Sequence, residues 1–579
     1  MRFLRMLTNS LLAGAFGAAY LTIIVLQLNP DVPLLSTTPW WWLLTLGMLY
    51  GVHFAVVFYV ILVVREFFTM DALSPGWVSV RLLAWLGAVL SAGAATLMWL
   101  NVRGLGATLG ELTSWRMTAG AVAATVSAVV LLAIAVAHYS FGRRGSRVGA
   151  SLFAIAVIGS MALPIAARGR GIPPPRQVAW TNQPAGSQVS PGEPRVTLLM
   201  LDGASLAHIW PRATEGRLPN FSRILDGGAA MDLATIRPTQ PDPVWTAVAT
   251  GMYPAASGVR SAARYYARGD HRGVDLLPDH SLSHALVHLG FVRNASLTSA
   301  AWGARPVWGI LSDQGMASGV VRWPLTHPVQ VSNGFMVSDR FHQLVDSIAD
   351  YDRTTYPGSV LAEVTALIDA TPDAGGGGPY DTGFTDGEPE QVALQQDLLY
   401  ARVGHALRSG RAPRLFALRY TGLDTVGHHY LRYAQAEPPR GVPEEQRRRF
   451  EQVVDRYYAV IDSEVGVLLG ALAPGDLLLV VSGFGMDAVG PVKRLLARVI
   501  GDTDFSGTHE RAPDGFMLAY GDAVQPGRPH RGSIVDVTPT LLYFFGLPVA
   551  RDMDGYARAD LFTHEFSAER PITFIPSYR

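Results

Sequence analysis

At 579 residues the chain exceeds what one hydrophobic core usually organises, so at least two domains are expected. Only 16% of residues are charged and the mean hydropathy is +0.20, too apolar for a chain that is soluble throughout, so part of it is expected in lipid. The formal net charge is zero, which provides no electrostatic footprint for nucleic acid, and cysteine is absent, which excludes disulfides, thiolate metal sites and cysteine nucleophiles.

The apolar excess lies at the N-terminal end, in five runs near 10–28, 40–64, 80–100, 118–138 and 150–167. Each approaches the ~20 residues with which a helix crosses about 30 Å of hydrocarbon, so a five-helix transmembrane domain over 1–167 is expected. The first run lacks a small-residue cleavage pattern and four more follow it, so it reads as an anchor and not as a cleaved signal peptide. Arg2 and Arg5 precede the first run, Arg65 and Arg81 bracket the second connection, and Arg143, Arg144 and Arg147 fill the fourth. Basic loops stay on the cytoplasmic side, which puts the N-terminus in the cytoplasm and the C-terminal domain outside it. Trp40, Trp41 and Trp42 read as an interfacial anchor. No run carries a central Asp, Glu, Lys or Arg, which argues against a transporter or pump.

From 168 to 195 the periodicity stops in a Pro- and Gly-rich linker that includes Pro173, Pro174 and Pro175. Beyond it, over 196–579, strand-length apolar runs alternate with segments of helical period. The clearest strands are Val196 to Leu201, Leu415 to Tyr420, Leu477 to Val481 and Phe516 to Ala519; helices are expected over Gln452 to Leu472 and Val535 to Phe545. Strands apolar from end to end suit a mostly parallel sheet covered by helices on both faces, an α/β domain. The stretch Gly375 to Glu388, with four glycines in a row, reads as a surface insertion.

Chemistry-bearing residues cluster at the expected strand ends. Asp202 closes LMLDG, just past the carboxyl end of the first strand, where open α/β sheets present ligands. In TGLDTVGHH, Asp424 and His428 are four apart, so one helical turn aims both at one metal. His509 lies in SGTHERAPDGFMLAYG, in a turn before another strand. Carboxylates and imidazoles of this kind suit a hard-to-borderline divalent ion.

LMLDGASLAHIWPRATEGRLPNFSRIL, RPTQPDPVWTAVATGMYPAASGV, LDTVGHH and SGTHERAPDGFMLAYG, in that order, resemble the type I phosphodiesterase and nucleotide pyrophosphatase branch of the alkaline phosphatase superfamily. The resemblance implies an alkaline-phosphatase-like fold, two zinc ions at the strand ends and an in-line attack on phosphorus by a Thr or Ser. Carried over position by position, it implies that Asp202, Asp424, His428 and His509 are metal ligands. The adjacent Asp and His of the family's SDHG pattern are replaced by Gly483 and Phe484, neither of which can coordinate a metal. Counted back from Thr250 and Gly251, the nucleophile's place falls on Pro241; Thr239 is the candidate if the loop is shifted, with Thr246 the weaker alternative. Asp242, Asp279, His280 and Asp487 are candidate substitute ligands.

Together these readings point to a membrane-anchored, extracytoplasmic, metal-dependent hydrolase of phosphate esters or diesters. Its expected partners are the lipid bilayer and a phosphorylated small molecule or envelope component. Two alternatives stay open: a family domain that has lost catalysis and binds a ligand or partner, and a phosphoethanolamine- or glycerol-phosphate-type transferase, for which the likeness is one of layout only.

Overall fold

The structure, a computed structural model, describes residues 2–69, 79–141, 147–173, 193–277, 285–344, 353–369, 382–384, 387–435, 442–490, 506–509 and 513–578. Most of the expected linker and most of the glycine-rich insertion lie outside these residues, as do Asp279 and His280. The chain divides into two compact units: Met1–Pro175 with Arg260–Leu297, and Arg176–Val259 with Thr298–Arg579.

Among the described residues of the first unit, five helices are long and apolar enough to cross a membrane: Arg2–Leu28, Thr38–Phe67, Val80–Leu105, Glu111–Ala137 and Ala150–Arg168. Small residues let them approach closely. A Cβ on Gly14 would collide with the carbonyl oxygen of Gly51, within the π-helical turn Gly47–Gly51 that interrupts the second span.

The segment Arg260–Leu297, taken from the middle of the sequence that follows the linker, is built into this helical unit. Its strands Ala263–Ala267 and Val292–Ser296 pair antiparallel. Val274, Leu276, Leu286 and Val292 share one core with Ile24, Leu28 and Trp42. Asn29, buried just past the end of the first helix, donates from Nδ2 to Leu276 O (2.8 Å) and accepts at Oδ1 from the N–H groups of Asp275 (2.8 Å) and Leu276 (3.2 Å). One amide side chain thus satisfies three backbone groups that water cannot reach. Arg168 fixes the same loop, donating to the carbonyls of Leu26, Asn29 and Val32 at 2.6, 2.8 and 2.5 Å.

The second unit is organised by a sheet of nine strands in the order Gly532–Ser533, Ala229–Ala234, Asp514–Tyr520, Leu477–Phe484, Val196–Leu201, Leu415–Tyr420, Ser318–Val321, Gly334–Val337 and Thr355–Tyr356. Four of these frame the site: β1 (Val196–Leu201), β2 (Leu415–Tyr420), β3 (Leu477–Phe484) and β4 (Asp514–Tyr520). β1 runs parallel to β2 and β3, while β4 is antiparallel to β3. All six residues of β1 and of β2 are buried. Because successive side chains point to opposite faces, that continuous burial requires both faces of the sheet to be covered. The mostly parallel sheet is the alkaline-phosphatase-like architecture that the motifs imply.

Four helices position the site: α1 (Pro241–Thr250), α2 (Pro389–Arg411), α3 (Gly422–Tyr430) and α4 (Val453–Gly470). One expectation is corrected. The strand from Leu477 does not stop at Val481 but runs on to Phe484, because Ser482 pairs with Phe516 and Phe484 with Asp514. Gly483 and Phe484 are therefore buried strand residues and not part of an open turn.

Replacing Asn29 by Ala should leave the Asp275 and Leu276 amides buried without a partner and cost on the order of 2–4 kcal/mol. Thermal unfolding of the intact protein in detergent, with Asn29→Asp as the conservative control, measures it.

Candidate metal centre

α3 starts directly after β2, and its entry is fixed by a buried carboxylate on another helix. Asp397 of α2 accepts from the N–H groups of Thr421 (3.1 Å) and Gly422 (3.0 Å), two of the donors that a helix start leaves unpaired, and from Tyr457 of α4 (2.9 Å). Arg322 pairs with Asp397 and stacks on the Tyr400 ring. Gly422 must be glycine here, since a Cβ would collide with the Tyr457 hydroxyl. This arrangement sets the direction in which α3 projects Asp424 and, one turn later, His428.

His509, from the turn before β4, completes a cluster with these two. Nε2 of His428 lies 3.6 Å from Asp424 Oδ2, and Nε2 of His509 lies 4.0 Å from Asp424 Oδ1. Among the described residues this is the group of His, Asp and Glu side chains with ligand atoms converging closely enough, within 4.8 Å of one another, to hold a metal ion. Each ring is oriented from behind: His428 Nδ1 is 2.9 Å from Gly507 O, and His509 Nδ1 is 2.8 Å from Thr239 O. A carbonyl only accepts, so both Nδ1 atoms carry the proton and both Nε2 lone pairs turn towards Asp424.

The residues present fit a divalent ion. Asp424 Oδ1 is buried with no hydrogen-bond partner. Burial pushes the Asp424 carboxyl up to about 8, the Asp202 charge adds to the push, and Arg419 opposes it. A cation between the carboxylate and the two imidazoles would relieve both the orphaned oxygen and the cost of ionising it.

Asp202 has a different surrounding. Arg419, on β2, grips it through two nitrogens: Nε lies 3.1 and 3.2 Å from the two carboxylate oxygens, and Nη2 lies 2.5 Å from Oδ2. Trp245 of α1 donates its indole N–H to Oδ1 at 2.7 Å. Asp202, expected from the motif as a metal ligand, is thus the counter-ion of a buried arginine.

The ground for a second ion is filled on its other side as well. A Cβ on Gly483 would collide with Val244 Cγ1, and the fully buried Phe484 ring packs 5.1 Å from the His509 ring. Of the candidate substitutes, Asp487 is exposed, and its carboxylate accepts from the Ala488 N–H. The residues present do not fit a second divalent ion.

Thr239, the candidate nucleophile, is fully buried, and its hydroxyl donates to Ile236 O at 2.7 Å. That bond withdraws the hydroxyl, and the residue reaches the cluster through its carbonyl on His509. Thr246 is likewise buried within α1. The carboxylate of Asp242, in the first turn of α1, makes no hydrogen bond among the described residues. Burial pushes its carboxyl up to about 7, against the pull of Arg419 and with repulsion from Asp339 and Asp202 adding to it. Sequence reasoning missed Arg419. Its only signal is a lone arginine near the end of an otherwise apolar strand, a position at which a buried charge needs a partner.

The WPLTHPV segment forms a packed wall. Trp323 is fully buried, edge-on to Trp245 at 6.2 Å and to Trp308 at 5.0 Å, and the Asp339 carboxylate accepts from Leu325 N and the Thr326 hydroxyl within that segment.

Residues 196–518 match the family model of the type I phosphodiesterase / nucleotide pyrophosphatases. The chain belongs to this family. Solved structures of murine and of human ectonucleotide pyrophosphatase / phosphodiesterase 5 are similar to this member at 14% identity and a TM-score of 0.38, over 64% of this chain and 100% of theirs. No curated protein matches it. Type I phosphodiesterases act on phosphoesters with metal ions, so phosphorylated substrates follow from the membership.

Two outcomes are expected of this geometry. Gly422→Ala should shift the start of α3, lower stability by about 1–3 kcal/mol and weaken zinc binding, read by thermal unfolding and by zinc titration of the same preparation. Zinc affinity should also rise with pH between about 6 and 8, because ligation requires Asp424 to lose its proton and the imidazoles to be neutral. Titrations at fixed ionic strength across that window check the sign.

Proposed function

We propose that this protein is a membrane-anchored, extracytoplasmic hydrolase of phosphate esters or diesters that works with one divalent ion held by Asp424, His428 and His509. The observation that carries the reading is the convergence of two imidazoles, each oriented by a backbone carbonyl, on the two oxygens of the Asp424 carboxylate, of which Oδ1 is buried with no hydrogen-bond partner. The donor set of two nitrogens and one oxygen is that of a zinc site with a position left for substrate or water. When bound there, such an ion supplies Lewis-acid charge to a phosphoryl oxygen and acidifies water. The apolar helices and the distribution of their flanking arginines support anchoring with the C-terminal domain outside the cytoplasm.

The remaining roles belong to side chains. His428 and His509 hold their tautomers through Gly507 and Thr239. With Pro241 at the nucleophile's place and the Thr239 hydroxyl bonded to Ile236, attack comes from water and not from a protein hydroxyl. The proton that water gives up is assigned to Asp242, in the first turn of α1 and within the fields of Arg419 and Asp202, whose raised proton affinity suits a base that works near neutrality.

His428→Ala and His509→Ala should each reduce hydrolysis of bis(p-nitrophenyl) phosphate to background, and chelation followed by zinc should remove and restore it in the wild type. Full activity in metal-stripped protein would overturn the reading. Tight phosphate binding without turnover would favour the ligand-binding module, which the blocked ground around Gly483 and Phe484 supports.

A further inference from the structure

We propose that Arg419 takes the place of a second metal ion, so that a phosphoryl group in this site lies between one divalent ion and one fixed guanidinium. The proposal rests on the one-ion reading above and adds to it a named phosphate-binding residue.

Three observations converge. First, Asp202, the carboxylate that the family motif assigns to a metal, spends both oxygens on Arg419 and Trp245. Second, the other half of a second ion's shell is absent by residue type and closed by packing, with Val244 against Gly483 and the Phe484 ring against His509. Third, the guanidinium is only partly used. Its Nε and Nη2 edge engages Asp202, while Nη1 makes no hydrogen bond among the described residues. Gly203, the neighbour of Asp202, lies against α3, where a Cβ would come within 2.9 Å of Asp424 Cα, so the Asp202–Arg419 pair and the three-residue cluster belong to one centre.

The exchange of an ion for an arginine has a chemical consequence. A guanidinium stays charged at every working pH and presents planar donors suited to phosphate, but it does not ionise a bound hydroxyl. An arginine here can therefore neutralise and orient a phosphoryl oxygen without activating a nucleophile. Pro241, at the position where the family carries that nucleophile, has no hydroxyl to activate. The loss of the activating ion and the loss of the group it would activate fit together.

The test uses the full-length protein in detergent. After zinc saturation and desalting, elemental analysis should find one ion per chain, and calorimetric titration with inorganic phosphate should give an affinity that falls about tenfold or more in Arg419→Met and Arg419→Lys, with the ion content unchanged. Lys keeps the charge but not the fork, so it guards against a fold lost through Met. Two ions in the wild type would overturn the proposal, as would unaltered phosphate affinity in either folded variant. No ion in the wild type, with phosphate binding still lost in the Arg419 variants, would overturn the one-ion reading and uphold the arginine.

Discussion

A guanidinium buried near the carboxyl ends of apolar parallel strands requires a fixed anion beside it, and Asp202 supplies one to Arg419. Removing one partner of such a pair would leave the other charge stranded, at a cost of about 3–5 kcal/mol. The pair joins β1 to β2, and the indole of Trp245 joins α1 to both. The two ends of the site are thereby fixed to each other. α1 carries Pro241 and Asp242, while β2 leads into α3 with Asp424 and His428.

A second buried pair does the corresponding work for the cluster of Asp424, His428 and His509. Arg322 and Asp397 form an ion pair whose carboxylate is also spent on the start of α3 and on Tyr457. Arg322 adopts a left-handed backbone, with φ at 60°, uncommon for a residue with a side chain. The surrounding bonds hold it there. The cluster is thus flanked by two charge pairs: Asp397, paired with Arg322, holds the start of α3, and Arg419 holds Asp202.

Much of the architecture is legible in the residues because its signals are local. Runs of about twenty apolar residues mark the spans, end-to-end apolar strands mark a sheet covered on both faces, and the four-residue spacing of Asp424 and His428 places both on one turn. Other features are not legible because they depend on partners far apart in the chain. Arg419 and Asp202 are separated by 217 positions, and Asn29 and Leu276 by 247. Nothing in the residues 260–297 themselves announces that they pack with the helices, since an apolar hairpin face is equally suited to either unit.

The sequence by itself determined the family, the kind of sheet, the apolar helices and the loss of metal-binding side chains at Gly483 and Phe484, because each is a property of residue type, spacing or periodicity. Only the tertiary structure decided what Asp202 faces, where the Thr239 hydroxyl points and what fills the space beside Phe484. The physical reason is that a carboxylate is equally suited to a zinc ion and to a guanidinium. Which of the two it meets is set by the neighbouring strand.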